Sequence, residues 1–529
     1  MNRKFEVWQP LIYSAVMIIG MYVGYRFATG QPNKKIFKKD QSTALQEALD
    51  VIRTKYVDSV NIDTLEQHAI TEMMSELDPH SIYLPPAELK EANEDLSGSF
   101  EGIGVEFNQI RDTINITYVI TGGPSDKAGV QIGDQIIKVD GQSLTGQGIS
   151  TTKIKSLIRG KRGSQVTLSV IRNGKLIPVS VVRGNIPKPS VTASYMIDKN
   201  TGFIKLDTFT SSSYREFMEA LEALKKLGMS QLIFDLRSNG GGYMDQAIEI
   251  ADEFLSGDKL IVYTQGVNNP KTEYRCKRPG ILETGKLIVL VDELSASASE
   301  IVSGALQDWD RATIIGRRTF GKGLVQEPFL LSDGSALRLT VARYYTPLGR
   351  SIQKPYAEGK KVYMDEVWQR YATGQLYYAD SNKIDKGKAY KTPKGRVVYD
   401  GGGIMPDIFV GLDTSKYSRE INKLFFNGTF NDFVFHYYLN NKKILDPYTN
   451  PLIYTKEFDP SKDMWIQFTT WAQKDTVNLS GIPAFEKERV EDRMEAQLAR
   501  YKWRDSGYYQ VMNTKDPVVL KALQVLTSD

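Results

Sequence analysis

The sequence predicts an α/β protein in which a layered domain follows a smaller β domain, with helical regions at both ends of the chain. Three observations support this fold class. Between residues 187 and 355, near-continuous apolar runs alternate with helical stretches, as in strands that are covered on both faces. Between residues 98 and 186, short β-branched segments are separated by glycine turns, and residues 40–97 and 413–529 have apolar residues at helical spacing.

The composition limits the class of protein. The 529 residues are 41% hydrophobic and 25% charged, which argues against wholesale disorder and against a polytopic membrane protein. A formal net charge of +4 gives no case for nucleic-acid binding, which needs a concentrated basic face. Cys276 is the single cysteine, so the chain can form no intramolecular disulfide.

The N-terminus contains an uncharged stretch, residues 11–25, between basic residues. Its length suits a signal-peptide core or, extended by Trp8 and Phe27, a membrane-spanning helix. Because no convincing cleavage site follows, an uncleaved signal anchor with a linker to residue 39 is favoured over a cleaved signal. The lysines after the stretch argue against export when they are counted alone: Lys34, Lys35, Lys38 and Lys39.

Residues 40–97 are predicted as a helical region. A helix within this region ends near Asp78-Pro79-His80, because proline disfavours a helical conformation at the residue before it. A histidine in such a turn is more often structural than a catalytic base.

Residues 98–186 contain a glycine turn at 102–107, a Gly133-Asp134 turn before a hairpin, and a helix near 151–158. These pieces, in this order, resemble a PDZ domain. In such a domain, converging backbone N–H groups bind a peptide's terminal carboxylate, and an edge strand pairs with its backbone. Gly102 and Gly104 permit the close approach that a Cβ would block. The alternative is a glycine-bearing turn in an unrelated barrel.

The layered domain is predicted to span residues 187–412. Its strands are expected at 202–207, 232–237, 286–291 and 312–316. The polar, lysine-rich residues 356–396 are expected to form a solvated insertion. Residues 413–529 form a C-terminal helical extension whose aromatic residues suggest a core but no function.

Serines alternate with alanines directly before an apolar helix, at Ser295, Ser297 and Ser299. A serine nucleophile needs a base, and none of the histidines (His68, His80, His436) lies nearby in sequence. Lys322, between two glycines and four residues before Gln326, is the better candidate. The alternative is a purely structural role in which Ser297 only caps the helix, since Ser297 and Glu300 have capping-box spacing.

Two further features favour chemistry over capping. The turn from Asp235 to Gly242 follows an apolar strand and can present backbone N–H groups to an oxyanion, and it lacks the lysine–serine end of a phosphate-binding P-loop. Lys322 can act as a base only when it is neutral. Its pKa must therefore fall from about 10.4 towards about 7, which burial can bring about.

The sequence resembles the carboxy-terminal processing peptidases, or tail-specific proteases, over residues 40–355 and 397–412. The resemblance implies a PDZ domain ahead of a crotonase-like α/β peptidase domain. It also implies a role for each site residue: Ser297 as nucleophile, Lys322 as base, Gln326 as its support, the Gly242 and Ala298 amides as oxyanion donors, and Gly102, Ile103, Gly104 and Val105 as the binding site for substrate tails.

The implied function is a serine endopeptidase that recognises proteins by their free C-termini and needs no metal or organic cofactor. Its catalytic part is expected in the periplasm, attached to the inner membrane through the N-terminal segment. The sequence does not decide between a monomer and a homo-oligomer. Two alternatives remain. A catalytically inactive PDZ adaptor would bind tails without cutting them, and a crotonase-type acyl enzyme would need neither Ser297 nor a peptide groove.

Overall fold

The computed structural model describes residues 3–29, 43–110, 113–144, 148–379, 387–413, 417–460 and 462–528. The chain divides into two compact units, residues 1–72 and 73–529. The predicted linker at 30–39, with its lysines, lies outside the described residues.

The N-terminal part of the chain is helical: α1 (Arg3–Thr29), α2 (Ala44–Lys55) and α3 (Ile62–Ser75). Helix α2 begins after Thr43, whose hydroxyl accepts a hydrogen bond from the Gln46 N–H. In the described parts of the chain, no helix is both long and apolar enough to cross a membrane. The predicted membrane anchor is therefore not supported, and the periplasmic location stays a prediction.

Two elements precede the small β domain: β1 (Ile82–Leu84) and α4 (Pro86–Ser97). The β domain itself comprises β2 (Ser99–Gly102), β3 (Val105–Ile110), β4 (Thr113–Val119), α5 (Pro124–Lys127), β5 (Gln135–Val139), β6 (Gln142–Ser143), α6 (Thr151–Ile158), β7 (Gln165–Arg172), β8 (Lys175–Val182) and β9 (Gly184–Pro187). The main sheet has the order β3-β4-β5-β7-β8, with β6 on β5, and β2 pairs with β9. Ile154 and Ile158 of α6 are buried in its core.

The α/β domain follows with β10 (Val191–Met196), β11 (Thr201–Leu206), α7 (Ser213–Lys226), β12 (Gln231–Asp235), α8 (Met244–Asp252), β13 (Leu260–Gln265), β14 (Thr272–Arg275), β15 (Leu287–Val291), α9 (Ala298–Asp308), β16 (Thr313–Gly316), β17 (Leu324–Leu330), β18 (Ala336–Tyr345), α10 (Lys360–Ala372), β19 (Ala389–Lys391), β20 (Val397–Tyr399) and β21 (Ile408–Phe409). One sheet has the order β10-β11-β12-β15-β16-β21, parallel except for the first pair. A second sheet has the order β1-β18-β13-β14, with β17 also on β18. Helices α7, α8 and α9 bury their apolar faces against the first sheet.

The C-terminal region is helical, as predicted, with α11 (Arg419–Phe426), α12 (Thr429–Asn440), α13 (Pro451–Glu457), α14 (Met464–Ala472), α15 (Ala484–Met512) and α16 (Pro517–Thr527). Helix α16 covers the face of the first sheet opposite to α7–α9, where Val519 and Ala522 are fully buried. Helix α15 is interrupted at Arg504, which has a φ of 58° and pairs with Glu106 of β3. The extension is thus packed against both preceding domains.

The predicted fold class is confirmed: a layered α/β domain follows a small β domain, and both ends are helical. Most described residues of the segment at 356–396, which is expected to be solvated, are exposed. Two residues of its helix α10 are not, since Tyr363 and Arg370 are each only 2% exposed. Both side chains find polar partners inside the α/β domain, and residues 380–386 of the segment lie outside the described residues.

Candidate active site

Ser297 stands at the start of α9 in a strained backbone conformation, with a φ of 55° and a ψ of −113°. The three alternating serines differ in accessibility. Ser297 is partly exposed, whereas Ser295 and Ser299 are fully buried. The Ser295 hydroxyl donates to the Leu236 carbonyl, and that of Ser299 donates to the Asn239 carbonyl. Of this run, Ser297 is therefore the hydroxyl that an incoming substrate can reach.

Glu300, in the first turn of α9, is fully buried. It joins two loops: the serine loop, residues 292–297 between β15 and α9, and the lysine loop, residues 318–323 before β17. Its Oε2 accepts hydrogen bonds from the Ser297 N–H at 2.8 Å and the Lys322 N–H at 2.9 Å. Its Oε1 accepts from the Thr319 hydroxyl at 2.5 Å and the Gly321 N–H at 2.8 Å. Burial raises the pKa of Glu300 to about 7, although these four donors favour the ionised form. One carboxylate thus fixes both candidate catalytic residues.

The sequence indicated Glu300 only as the glutamate of a capping box. In the structure the Glu300 side chain accepts the Ser297 N–H, whereas the Ser297 side chain makes no capping hydrogen bond. The bonds of Glu300 to residues 319–322 could not be read from the sequence, because they cross between separate segments. A second link was also missed: the Tyr344 hydroxyl donates to the carbonyls of Lys322 at 2.7 Å and Ser297 at 3.1 Å.

Lys322 lies at the entrance of β17 with its side chain largely enclosed. Its Nζ donates to Gln326 Oε1 at 2.9 Å, and Gln326 Nε2 donates to the His80 carbonyl at 2.8 Å. Desolvation by burial, reinforced by the charge of Arg338, lowers the pKa of Lys322 to about 8. At pH 7 roughly one lysine in ten is then neutral, against fewer than one in a thousand for an ordinary lysine.

The turn after β12 lies against the serine loop. A Cβ at Gly241 would come within 2.8 Å of the Ser297 Cβ and 3.0 Å of the Ala298 nitrogen. Asn239 joins the two loops, since its carbonyl accepts from the Ala296 N–H at 3.0 Å and its side chain accepts from the Gly241 N–H. Gly242 has a φ of 143°, and a Cβ there would lie 2.1 Å from the Phe209 carbonyl oxygen, so only glycine fits.

The candidate tail-binding residues, Gly102 to Val105, line a small cavity of about 80 Å³ between the β2–β3 turn and α6. Phe100 and Arg159 stand at the same cavity, with the guanidinium 4.5 Å from the ring centroid. Gly104 has a φ of 76°, which a residue with a Cβ adopts only with strain.

The histidines are structural where the structure shows their surroundings. His80 shares a hydrogen bond of 2.8 Å with the Tyr363 hydroxyl, and burial lowers its pKa to about 4. Neither His80 nor His436, which pairs with Asp432, contacts Ser297. Within the described ranges, no group of three or more histidine, cysteine, aspartate or glutamate residues could hold a metal ion.

Two family models match the chain: peptidase family S41 over residues 200–360 and the PDZ domain over residues 116–172. The chain is 37% identical over 308 residues to a carboxy-terminal-processing protease of Bartonella bacilliformis, covering 57% of this chain and 70% of that protein. It is 34% identical over 395 residues to the carboxy-terminal processing protease CtpA of Bacillus subtilis, covering 73% of this chain and 82% of that protein. Among solved structures, the photosystem II D1 C-terminal processing protease is 29% identical, with a TM-score of 0.35, over 59% of this chain and 84% of that one.

The layered domain and its PDZ module define a serine protease. The chain belongs to the carboxy-terminal processing proteases of peptidase family S41.

Replacing Glu300 with glutamine tests the shared carboxylate. A carboxamide has one acceptor oxygen, so Glu300→Gln leaves two of the four buried donors facing an NH₂ group. We expect the free energy of unfolding to fall by at least about 2 kcal/mol, measured by urea titration, and peptide cleavage to be lost. Glu283→Gln is the matched control, because Glu283 accepts a single backbone N–H, from Gly280. Equal stability of the two variants would contradict the role assigned to Glu300.

Proposed function

We propose that this chain cleaves polypeptides with a serine–lysine dyad and selects them by their C-termini through the PDZ domain. The observation that supports the dyad concerns the Glu300 carboxylate. One of its two oxygens, Oε2, accepts hydrogen bonds from the backbone N–H groups of both Ser297 and Lys322. The accessible serine and the buried lysine are thereby held next to each other. The low pKa of Lys322 supports its role as the base.

In the proposed reaction, neutral Lys322 takes the proton from the Ser297 hydroxyl as Oγ attacks the substrate carbonyl carbon. The backbone N–H groups of Gly242 and Ala298 stabilise the resulting oxyanion. Ala298 suits this role because it is the first residue of α9, and the first N–H groups of a helix have no partner inside the helix. Protonated Lys322 then gives its proton to the leaving amine. Water, deprotonated by Lys322, hydrolyses the acyl ester and restores Ser297.

Gln326 orients Lys322 in this proposal. It accepts from the ammonium through Oε1 and is itself anchored by the His80 carbonyl. The inactive-adaptor alternative is less well supported, because an adaptor needs neither a lysine with a lowered pKa nor a carboxylate that joins it to the serine.

The dyad is tested by Ser297→Ala and Lys322→Ala in the full chain. Each variant should lose cleavage of an unstructured peptide, followed by mass spectrometry, while its melting temperature stays close to that of the unmodified protein. Ser303→Ala is the matched control on the same helix and should keep activity, since its hydroxyl bonds only the Ser299 carbonyl one turn earlier. Full activity of Ser297→Ala would restore the capping interpretation.

The base assignment also predicts a pH dependence. Only neutral Lys322 can accept the serine proton, and its lowered pKa lies near 8. The cleavage rate, measured at substrate concentrations well below KM, should therefore rise about tenfold per pH unit below about pH 8 and level off above that pH. A rate that stays flat from about pH 6 to about pH 9 would argue against Lys322 as the base.

The PDZ proposal is tested with two peptides that differ only in a free or amidated C-terminus. The turn at Gly102–Val105 presents backbone N–H groups that need a carboxylate, so amidation should weaken binding by about 1–3 kcal/mol. Titration calorimetry of the inactive Ser297→Ala protein measures this difference without cleavage. If both peptides bind equally well, the groove does not select substrates by their C-termini.

A further inference from the structure

The lysine loop is bound by Arg370 of α10 as well as by Glu300. The Arg370 guanidinium donates to three successive carbonyls: Arg318 at 3.1 Å, Thr319 at 2.8 Å and Phe320 at 3.3 Å. It is also paired with Glu366 at 2.6 Å and is only 2% exposed. A planar guanidinium presents five donors in fixed directions, enough for the three carbonyls and Glu366 together, whereas an ammonium has only three.

A second residue of α10, Tyr363, acts on both flanks of Lys322. Its hydroxyl lies 2.8 Å from His80 Nε2, and the His80 carbonyl anchors Gln326. The same hydroxyl accepts from Gln353 Nε2 at 3.4 Å, and Gln353 Oε1 accepts from the Gly323 N–H at 2.8 Å. One buried hydroxyl therefore connects the partner of the Lys322 ammonium with the residue that follows Lys322 in the chain.

Packing around this hydroxyl is close. The Lys354 ammonium lies 3.8 Å from the Phe320 ring centroid and 4.3 Å from the Tyr363 ring centroid, and it pairs with Glu366 at 3.1 Å. Phe320 and Tyr363 meet edge to face, with their ring centroids 5.7 Å apart. Helix α10 thus packs against the lysine loop through its two buried residues, Tyr363 and Arg370.

We propose that α10 is a positioning element for the catalytic lysine, in which Arg370 and Tyr363 hold the lysine loop and the Gln326 support in place. The inference rests on the proposed function, in which Lys322 is the base. It assigns a positioning role in catalysis to α10, and neither Arg370 nor Tyr363 touches the reacting atoms.

The charges that act on Lys322 come from several elements: Arg338 of β18, Glu300 of α9 and Asp78 before β1. His80, also before β1, faces Lys322 as a titratable group whose pKa is lowered to about 4. Burial outweighs these charges as the cause of the low pKa of Lys322. If α10 no longer holds the lysine loop, water reaches the ammonium and the pKa of Lys322 returns towards its ordinary value. The fraction of neutral lysine at pH 7 then falls.

The decisive variant is Tyr363→Phe, which removes one hydroxyl and keeps the ring. We expect kcat at pH 7 to fall about tenfold with KM changed less than about twofold, and the midpoint of the pH profile to move up by about one unit. Tyr371→Phe is the matched control: it removes a hydroxyl from the same helix at a residue that is 47% exposed, and it should leave kcat and the midpoint unchanged.

Arg370→Lys is a second variant and should change kcat and the midpoint in the same direction. An ammonium has three donors and cannot bind three carbonyls and Glu366 at once. If it fails to fold, Tyr363→Phe decides alone. A folded Tyr363→Phe protein with unchanged kcat and midpoint overturns the proposal for α10, while inactive Ser297→Ala and Lys322→Ala proteins leave the dyad in place. If Lys322→Ala still cleaves the peptide, Lys322 is not the base. The proposed role of α10 in positioning that base then fails as well.

Discussion

The arrangement of this site depends on one buried carboxylate that accepts four hydrogen bonds from two loops. Glu300 belongs to the helix that begins at Ser297, and its partners at 319–322 belong to the segment before β17. Because no water competes for these donors at a fully buried position, the two loops cannot separate without leaving polar groups unpaired. The backbone segments that carry Ser297 and Lys322 are thereby fixed relative to each other.

The electrostatics of the site combine opposing requirements. Lys322 must be enclosed so that it loses its proton near neutral pH, yet the carboxylates of Glu300 and Asp78 stabilise its charged form. Arg338 and the desolvation of the ammonium act in the other direction and prevail. Gln326 offers the ammonium a neutral oxygen, so this hydrogen bond adds no further negative charge beside Lys322.

Sequence reasoning recovered what depends on local pattern. Apolar runs predicted the parallel strands, and the glycine turns with a following helix predicted the PDZ domain, because both patterns repeat over short stretches. The alternating serines and the glycine-flanked Lys322 were candidates from the sequence itself, and the resemblance to the family singled out Ser297 among those serines. The sequence did not indicate which element covers the face of the first sheet opposite to α7–α9. Helix α16, which covers it, begins about two hundred residues after β16. For the same reason sequence reasoning missed Glu300 as a bridge and Arg370 as a buried partner: their roles exist only between distant segments, and a polar composition in 356–396 resembles a solvated surface.

The residues that enclose Lys322 and fix its loop span the chain from Asp78 to Arg370. While the polypeptide is being synthesised, or when it is unfolded, these segments are apart and the lysine has its ordinary pKa of about 10.4. The ammonium then keeps its proton at neutral pH and cannot accept one from a serine. With Lys322 as the base, tertiary structure therefore acts as the activation step: a nascent or damaged copy of this protease cannot attack its neighbours.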